Sequence, residues 1–173
     1  TRLAMRSKTS SMRFKMYKIP SFEKDNDKLQ PGFHFCTLQN GVATFDLRMK
    51  KPNAGDFLAQ PALHSIEHML ATALRNGRAA KNIVYFGPMG CRTGFYLLTA
   101  GISFDEAYVA LREGMDAAMR MDEVPGSAKQ ECGNYLEHDL ALAKAELSAY
   151  AALLGDEAAL DADREAYAEA ARR

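Results

Sequence analysis

The chain predicts an α+β domain, a largely antiparallel sheet packed against helices, and three observations carry that expectation. A β-rich hairpin pattern lies near the start, helical and β-rich stretches then mix along the chain, and the length is that of one domain. At 173 residues, with 47% apolar and 25% charged residues, the chain can bury a hydrophobic core unaided.

The elements follow in order. Thr1 to about Met16 is polar, basic and aperiodic, so residues 1–15 are expected to be a disordered extension, with Met16 a candidate natural start. Phe33–Leu38 and Val42–Met49 are β-rich runs joined by Gln39-Asn40-Gly41, and Asn-Gly is a strong hairpin signal. In the second run Phe45, Leu47 and Met49 alternate with Thr44, Asp46 and Arg48, so one face is core and the other presents an acid beside an arginine. Pro61 suits a first helical turn; Leu63, Ile66, Met69, Leu70, Ala73 and Leu74 follow at helical spacing, and Asn76-Gly77 closes the helix. Ile83–Phe86 is expected as a buried strand and Phe95–Thr99 as another, with a glycine-punctuated loop between them. Ser103 and Glu106 form a capping box for a helix to about Met121. A long helix is expected from about Asn134 to Leu154, and residues 156–173 as an Ala-rich helical tail with a weak apolar stripe. Residues 16–155 would then be the single folded domain.

Composition excludes several function classes. Net charge is zero, so no global field draws nucleic acid or a membrane surface. No apolar run approaches the roughly 18 residues that span a bilayer. The N-terminus lacks the apolar stretch of a secretory signal, which with three unpaired-looking cysteines favours a reducing cytosol. In such a compartment cysteines are candidates for ligation or catalysis. The charge is uneven: the first twenty residues are basic, whereas Asn134–Arg173 carries nine acids against four bases.

The sharpest chemical feature is His64-Ser65-Ile66-Glu67-His68 on the helix from Pro61. Residues four apart lie one above the other on a helix, so both imidazoles can reach one ion. Glu67 stands beside the second histidine, in the H-x-x-E-H order of inverted zinc sites. A catalytic metal wants three protein ligands and an open position. Cys36, Cys91, Cys132, His34 and His138 are the remaining candidates. Cys36 suits a buried strand position and His138, six residues past Cys132, an exposed place or one directly behind the ligands, while chemistry alone leaves Cys91 and Cys132 open as the third ligand. An unligated Cys91, in a Gly-rich turn with Arg92 beside it, would have a lowered pKa and could move protons near neutrality.

These residues together resemble the S-ribosylhomocysteine lyase (LuxS) family. The resemblance runs from about Ile19 to Leu154 and rests on Phe45-Asp46-Leu47-Arg48, the His64–His68 motif, Pro88-Met89-Gly90-Cys91-Arg92-Thr93-Gly94-Phe95-Tyr96 and Glu131-Cys132-Gly133. It implies that His64, His68 and Cys132 bind one divalent metal per subunit, Fe(II) with zinc or cobalt as substitutes. It implies Glu67 and Cys91 as the acid/base pair, Arg48 near the substrate and the thiolate, and Ser21 contributing to substrate binding. A bacterial, cytoplasmic homodimer follows, with sites at the interface completed by the partner's segment around Ser21-Phe22. The implied reaction cleaves S-ribosylhomocysteine to homocysteine and 4,5-dihydroxy-2,3-pentanedione, the autoinducer-2 precursor, serving quorum sensing or the methionine cycle.

The sequence departs from the family pattern at Asn26, where a histidine is expected, and at Tyr85, where many members carry an acid. Two other readings compete. A metallopeptidase would explain only H-x-x-E-H and would want Glu137 or Glu146 as third ligand. A non-catalytic zinc module would want a fourth protein ligand, such as Cys91 or His138.

Overall fold

Asn40 and Gly41 both adopt positive φ, 52° and 77°, the backbone of a two-residue turn whose twist matches the strands it joins. They connect strand β1 (Gly32–Gln39) to β2 (Val42–Arg48), as the Asn-Gly pair predicts. Described here from a computed structural model, the fold covers residues 25–173; the basic stretch 1–15 and Ser21-Phe22 lie outside the described residues. Two more strands, β3 (Ile83–Pro88) and β4 (Gly94–Ala100), complete an antiparallel four-stranded sheet in the order β1-β2-β4-β3. Gly94 starts β4 directly against β2. A Cβ there would lie 2.2 Å from the Leu47 carbonyl oxygen, so only glycine lets the strands begin side by side at this point.

Helices α1 (Gln60–Asn76) and α2 (Phe104–Met119) follow the predicted patterns. Ser103 and Glu106 make the reciprocal capping box that satisfies two otherwise orphaned backbone donors at the start of α2. The core joins the apolar stripe of α1 (Ile66, Met69, Leu70) to Phe33, Phe45, Leu47, Phe95 and Leu97 of the sheet and Leu111 and Met115 of α2. Phe33 stacks on Phe45 with ring centroids 4.8 Å apart. Each such side chain contributes about 1.5–3 kcal/mol by leaving water.

Three expectations need correction. The helix expected from Asn134 starts instead at Leu140, as α3 (Leu140–Leu153). Asp139 caps it by accepting the Leu142 N–H at 2.8 Å, and an aspartate in that position stops helix propagation toward the N-terminus. The preceding stretch is turned, with the Cys132 N–H donating to the Ala128 carbonyl. β3 is not buried throughout: Val84 and Tyr85 are about half exposed, where the register against β4 shifts between Ile83 and Tyr85 and breaks the strand's alternation, on the outer strand of the sheet among the described residues. Cys36 is half-buried at a register shift in the hairpin rather than a core residue.

The C-terminal residues form α4 (Asp161–Ala171). Its apolar stripe is weak, yet Tyr167 reaches the aromatic cluster, 5.2 Å edge-on from Phe35 and stacked 6.1 Å from Phe45. The Tyr167 hydroxyl also donates to the Ile102 carbonyl at 2.6 Å. Together with Asp163, which accepts the Phe35 N–H at 2.8 Å, and Arg164, which donates to Asp105 at 2.9 Å, Tyr167 docks a helix whose periodicity alone would not. Among the described residues no helix is long and apolar enough to cross a membrane.

Candidate metal centre and thiol cleft

His64 and His68 stand on the same face of α1, ring centroids 4.9 Å apart, as residues four apart on a helix must. The turned segment before α3 folds over them and supplies two more side chains, Cys132 and His138. One candidate ligand atom from each of His64, His68, Cys132 and His138 falls within 4.8 Å of the others. Cys132 Sγ lies 3.5 Å from His64 Nε2 and 3.5 Å from His138 Nε2. His138 thus stands against the other three, the nearer of the two places its sequence position suggested. The late start of α3 explains this, since a helix through residue 138 would carry the ring elsewhere.

The backbone decides which nitrogen of each α1 histidine is available. His64 Nδ1–H donates to the Glu137 carbonyl at 3.0 Å, and His68 Nδ1–H donates to the Pro125 carbonyl at 2.9 Å. A carbonyl can only accept, so the proton sits on Nδ1 and the Nε2 lone pair is left for an ion. Two imidazole nitrogens and a thiolate are the donor set of a zinc, iron or cobalt site. Burial, followed by the neighbouring His64 and His68 rings, lowers the pKa of His138 and favours its neutral form. The carboxylates a metallopeptidase would need are elsewhere: Glu146 pairs with Lys50 at 2.9 Å, and the Glu137 carboxylate accepts from Asn134 at 2.7 Å. Glu67 sits beside His68 on α1, half-buried.

Cys91 occupies the β3–β4 loop, pinned on both sides. The Met49 and Lys50 N–H groups donate to the Thr93 carbonyl at 3.0 and 2.9 Å, and the Leu58 N–H donates to the Arg92 carbonyl at 2.9 Å. Arg92 adopts a left-handed φ of 59°, which turns the loop tightly enough to present the thiol outward. Cys91 lines a cleft of about 370 Å³ with Asn26, Arg48, Phe57, Thr93 and Tyr96. Asn26, the residue that replaces an expected histidine, is therefore part of the cleft wall.

The cation that tunes the thiol is Arg48. Arg92 points away, its guanidinium 5.7 Å from the centre of the Phe57 ring. Arg48 is buried and held by both oxygens of Asp46, at 3.0 and 2.6 Å. Its Nη1 donates to Thr93 Oγ1 at 2.6 Å and lies 3.8 Å from Cys91 Sγ. With its oxygen accepting from Arg48, Thr93 turns its own hydroxyl proton toward Cys91 Sγ, 3.0 Å away. Burial pushes the thiol pKa up. The Thr93 hydroxyl and backbone N–H, then the Arg48 charge, outweigh that and bring it below its ordinary value.

Sequence reasoning missed Thr93, which lies two residues after Cys91 in the same loop; a hydroxyl there was the available signal. It also missed Ser65, which on an amphipathic helix looks like filler but is fully buried.

The comparisons with known proteins converge. The family model of S-Ribosylhomocysteinase (LuxS) matches residues 19–158. The S-ribosylhomocysteine lyase of Borreliella afzelii is 42% identical over 148 residues, covering 82% of this chain and 94% of that protein. The S-ribosylhomocysteine lyase of Phocaeicola vulgatus is 46% identical over 145 residues, covering 78% of this chain and 88% of that protein. The Clostridium acetobutylicum protein of the same name is 41% identical over 146 residues, covering 80% and 92%. With a metal-ligand group, a tuned thiol and matches of this extent, the chain belongs to the S-ribosylhomocysteinase (LuxS) family.

Proposed function

We propose that the protein is an S-ribosylhomocysteine lyase that releases homocysteine and 4,5-dihydroxy-2,3-pentanedione. The observation that carries this is the pairing of a cluster able to hold an ion, His64, His68, Cys132 and His138, with a separate thiol, Cys91, whose pKa is lowered by Thr93 and Arg48. A structural zinc module has no use for the second thiol, and a peptidase has no use for either cysteine.

His64, His68 and Cys132 are the ligands, and Fe(II) is the native ion, with zinc or cobalt able to replace it. When bound, the ion polarises the sugar oxygens and so acidifies the carbon-bound protons beside them. Cys91 Sγ and the Glu67 carboxylate then move those protons. Each isomerisation takes a proton from one carbon, returns one to its neighbour, and shifts the carbonyl from C1 to C2 and from C2 to C3. With the carbonyl at C3, removal of the C4 proton breaks the C5–S bond. The sulfur leaves with the electron pair and takes up a proton, so the products together have the atoms of the substrate. Arg48 favours the thiolate of Cys91 and so its readiness to accept the first proton.

The working form is a cytoplasmic homodimer whose sites lie at the interface, with Ser21 of one protomer meeting substrate held by the other. Exposed apolar residues flank both parts of the site and support this: Phe57 at the thiol cleft, and Tyr135 and Leu136 on the loop that carries the metal ligands, Leu136 being 80% exposed. A single-chain mass by light scattering at working concentration would refute the dimer.

The activity is tested by release of thiol from S-ribosylhomocysteine, using anaerobic, iron-loaded protein. Release should depend on metal and fall by about 100- to 10,000-fold in Cys91→Ala, the usual contribution of one acid/base group. Metal-dependent release that survives Cys91→Ala would remove the thiol from the mechanism.

A further inference from the structure

We infer that His138 is not a fourth ligand but a positioning residue, held by Ser65, that donates its Nε2–H to the Cys132 thiolate. The inference rests on the metal reading proposed above and concerns how this chain sorts three clustered imidazoles into two roles.

The sorting is done by what touches the far nitrogen of each ring. His64 and His68 face backbone carbonyls, at 3.0 and 2.9 Å, which fix the proton on Nδ1 and free Nε2 for an ion. His138 Nδ1 instead faces the Ser65 hydroxyl at 3.3 Å. Ser65 is fully buried, and its oxygen already accepts the Asp139 N–H at 2.8 Å. A buried hydroxyl proton needs an acceptor. Among the described residues the one recorded acceptor for it is His138 Nδ1. A nitrogen that accepts cannot also carry the ring proton, so in the neutral ring that proton is on Nε2. Nε2 lies 3.5 Å from Cys132 Sγ, within the reach of an N–H donor to sulfur.

The consequence is chemical. The ion keeps two nitrogens, one sulfur and an open position, the arrangement of a catalytic site rather than a closed structural one. The N–H to sulfur orients Cys132 and draws electron density from the thiolate, which leaves the ion a stronger Lewis acid. The His138 ring also stacks on His64 at 4.0 Å between centroids, so a ring of the same shape without a donor separates the two contributions.

The test uses the full chain loaded with Co(II), comparing His138→Phe, His138→Gln and Ser65→Ala. His138→Phe keeps the stack and loses the donor. Its Co(II) affinity, measured by chelator competition, should fall about 10- to 100-fold, the usual effect of removing such a partner. Its thiolate-to-Co(II) charge-transfer band should move to lower energy, because a sulfur without the N–H gives up its electrons more easily. His138→Gln restores an N–H and should bring the band back, and Ser65→Ala should show a smaller shift in the same direction. X-ray absorption should count the same two nitrogen ligands in wild type and His138→Phe. Loss of one nitrogen in that variant would make His138 a ligand and overturn the inference. So would an unmoved band with unchanged affinity. Wild-type chain that binds no Co(II) at all would instead strike the metal reading itself, a failure distinguishable from both.

Discussion

Two ion pairs lie beside each other on the same side of the hairpin, where the register sets His34 opposite Asp46. Asp46–Arg48 is almost wholly buried, its side chains 1% and 6% exposed; His34–Asp163 is part-exposed, at 23% and 20%. The first couples a carboxylate to a guanidinium that never loses its proton. The second couples a carboxylate to the one side chain that changes charge near neutrality. The two pairs therefore do different work. A permanent cation suits the task of favouring the Cys91 thiolate, since its effect does not fade over the working pH range. A titratable one suits the fastening of α4, which lies beyond the residues matched by the family model.

The widest separation between the pairs should come from Arg48→Met. The change removes the guanidinium from a carboxylate that is 1% exposed and should cost about 3–5 kcal/mol, the usual penalty for breaking a buried ion pair from one side. Urea unfolding reads that loss, and alkylation of Cys91 against pH should show its titration moved upward as the cation's pull disappears. A Cys91 titration that stays where it is would show that Thr93 alone tunes the thiol. Thr93→Val tests that directly and should be milder. It removes the hydroxyl between Arg48 Nη1 and Cys91 Sγ, leaving Arg48 with Asp46, and should destabilise by about 1–3 kcal/mol. The Cys91 titration should rise in this variant as well. If Thr93→Val moved neither quantity, the chain of hydrogen bonds from Asp46 to Cys91 would have no energetic meaning.

Much of the buried pair's surroundings was legible beforehand, and little of the exposed pair's was. Strand alternation put Asp46 and Arg48 on one face, and helical spacing put His64 and His68 on one ion, because both are short-range consequences of backbone geometry. The Asn40-Gly41 turn and the Ser103 capping box were likewise local. What the sequence hid was long-range. Arg92 sits next to Cys91 in the chain, yet Arg48, forty-three residues away, supplies the cation, because a left-handed backbone at residue 92 sends that side chain to Phe57. Whether His138 was exposed or stood directly behind the ligands stayed open in the sequence, because a helix was expected to run through it. The Asp139 cap stops that helix and folds residue 138 back onto α1. The docking of α4 was hidden for a similar reason: it depends on Tyr167 and Asp163 finding β1, not on a stripe along the helix.

The smallest effect, and the one that most sharpens the contrast, is on the exposed pair. His34 Nε2 faces the Gln30 carbonyl at 2.9 Å and Nδ1 faces Asp163 Oδ2 at 3.1 Å. Both are acceptors, so both ring nitrogens must carry protons for the arrangement to be fully satisfied. Burial works against that charge. The Asp163 hydrogen bond, the Gln30 carbonyl and the charges of Asp163 and Asp46 outweigh it, and the His34 pKa rises above its ordinary 6.5. A raised histidine pKa stabilises the folded form fully below the unfolded value, and that contribution is lost as pH rises through the folded one. The fastening of α4 should therefore be strongest in mild acid and loosen above pH 6.5. For a pair this accessible the whole effect should be about 0.2–1 kcal/mol. Asp163→Asn keeps an oxygen to accept the Phe35 N–H, a bond of 2.8 Å, while removing the charge that holds the proton on His34. Amide exchange along Asp161–Ala171, corrected for its intrinsic pH dependence, should lose protection with rising pH in the wild type and stay level in the variant. Equal pH dependence in both would mean that Tyr167 in the aromatic cluster and Arg164 on Asp105 hold α4 without help from the His34 charge, and that His34 and Asp163 are a contact without a switch.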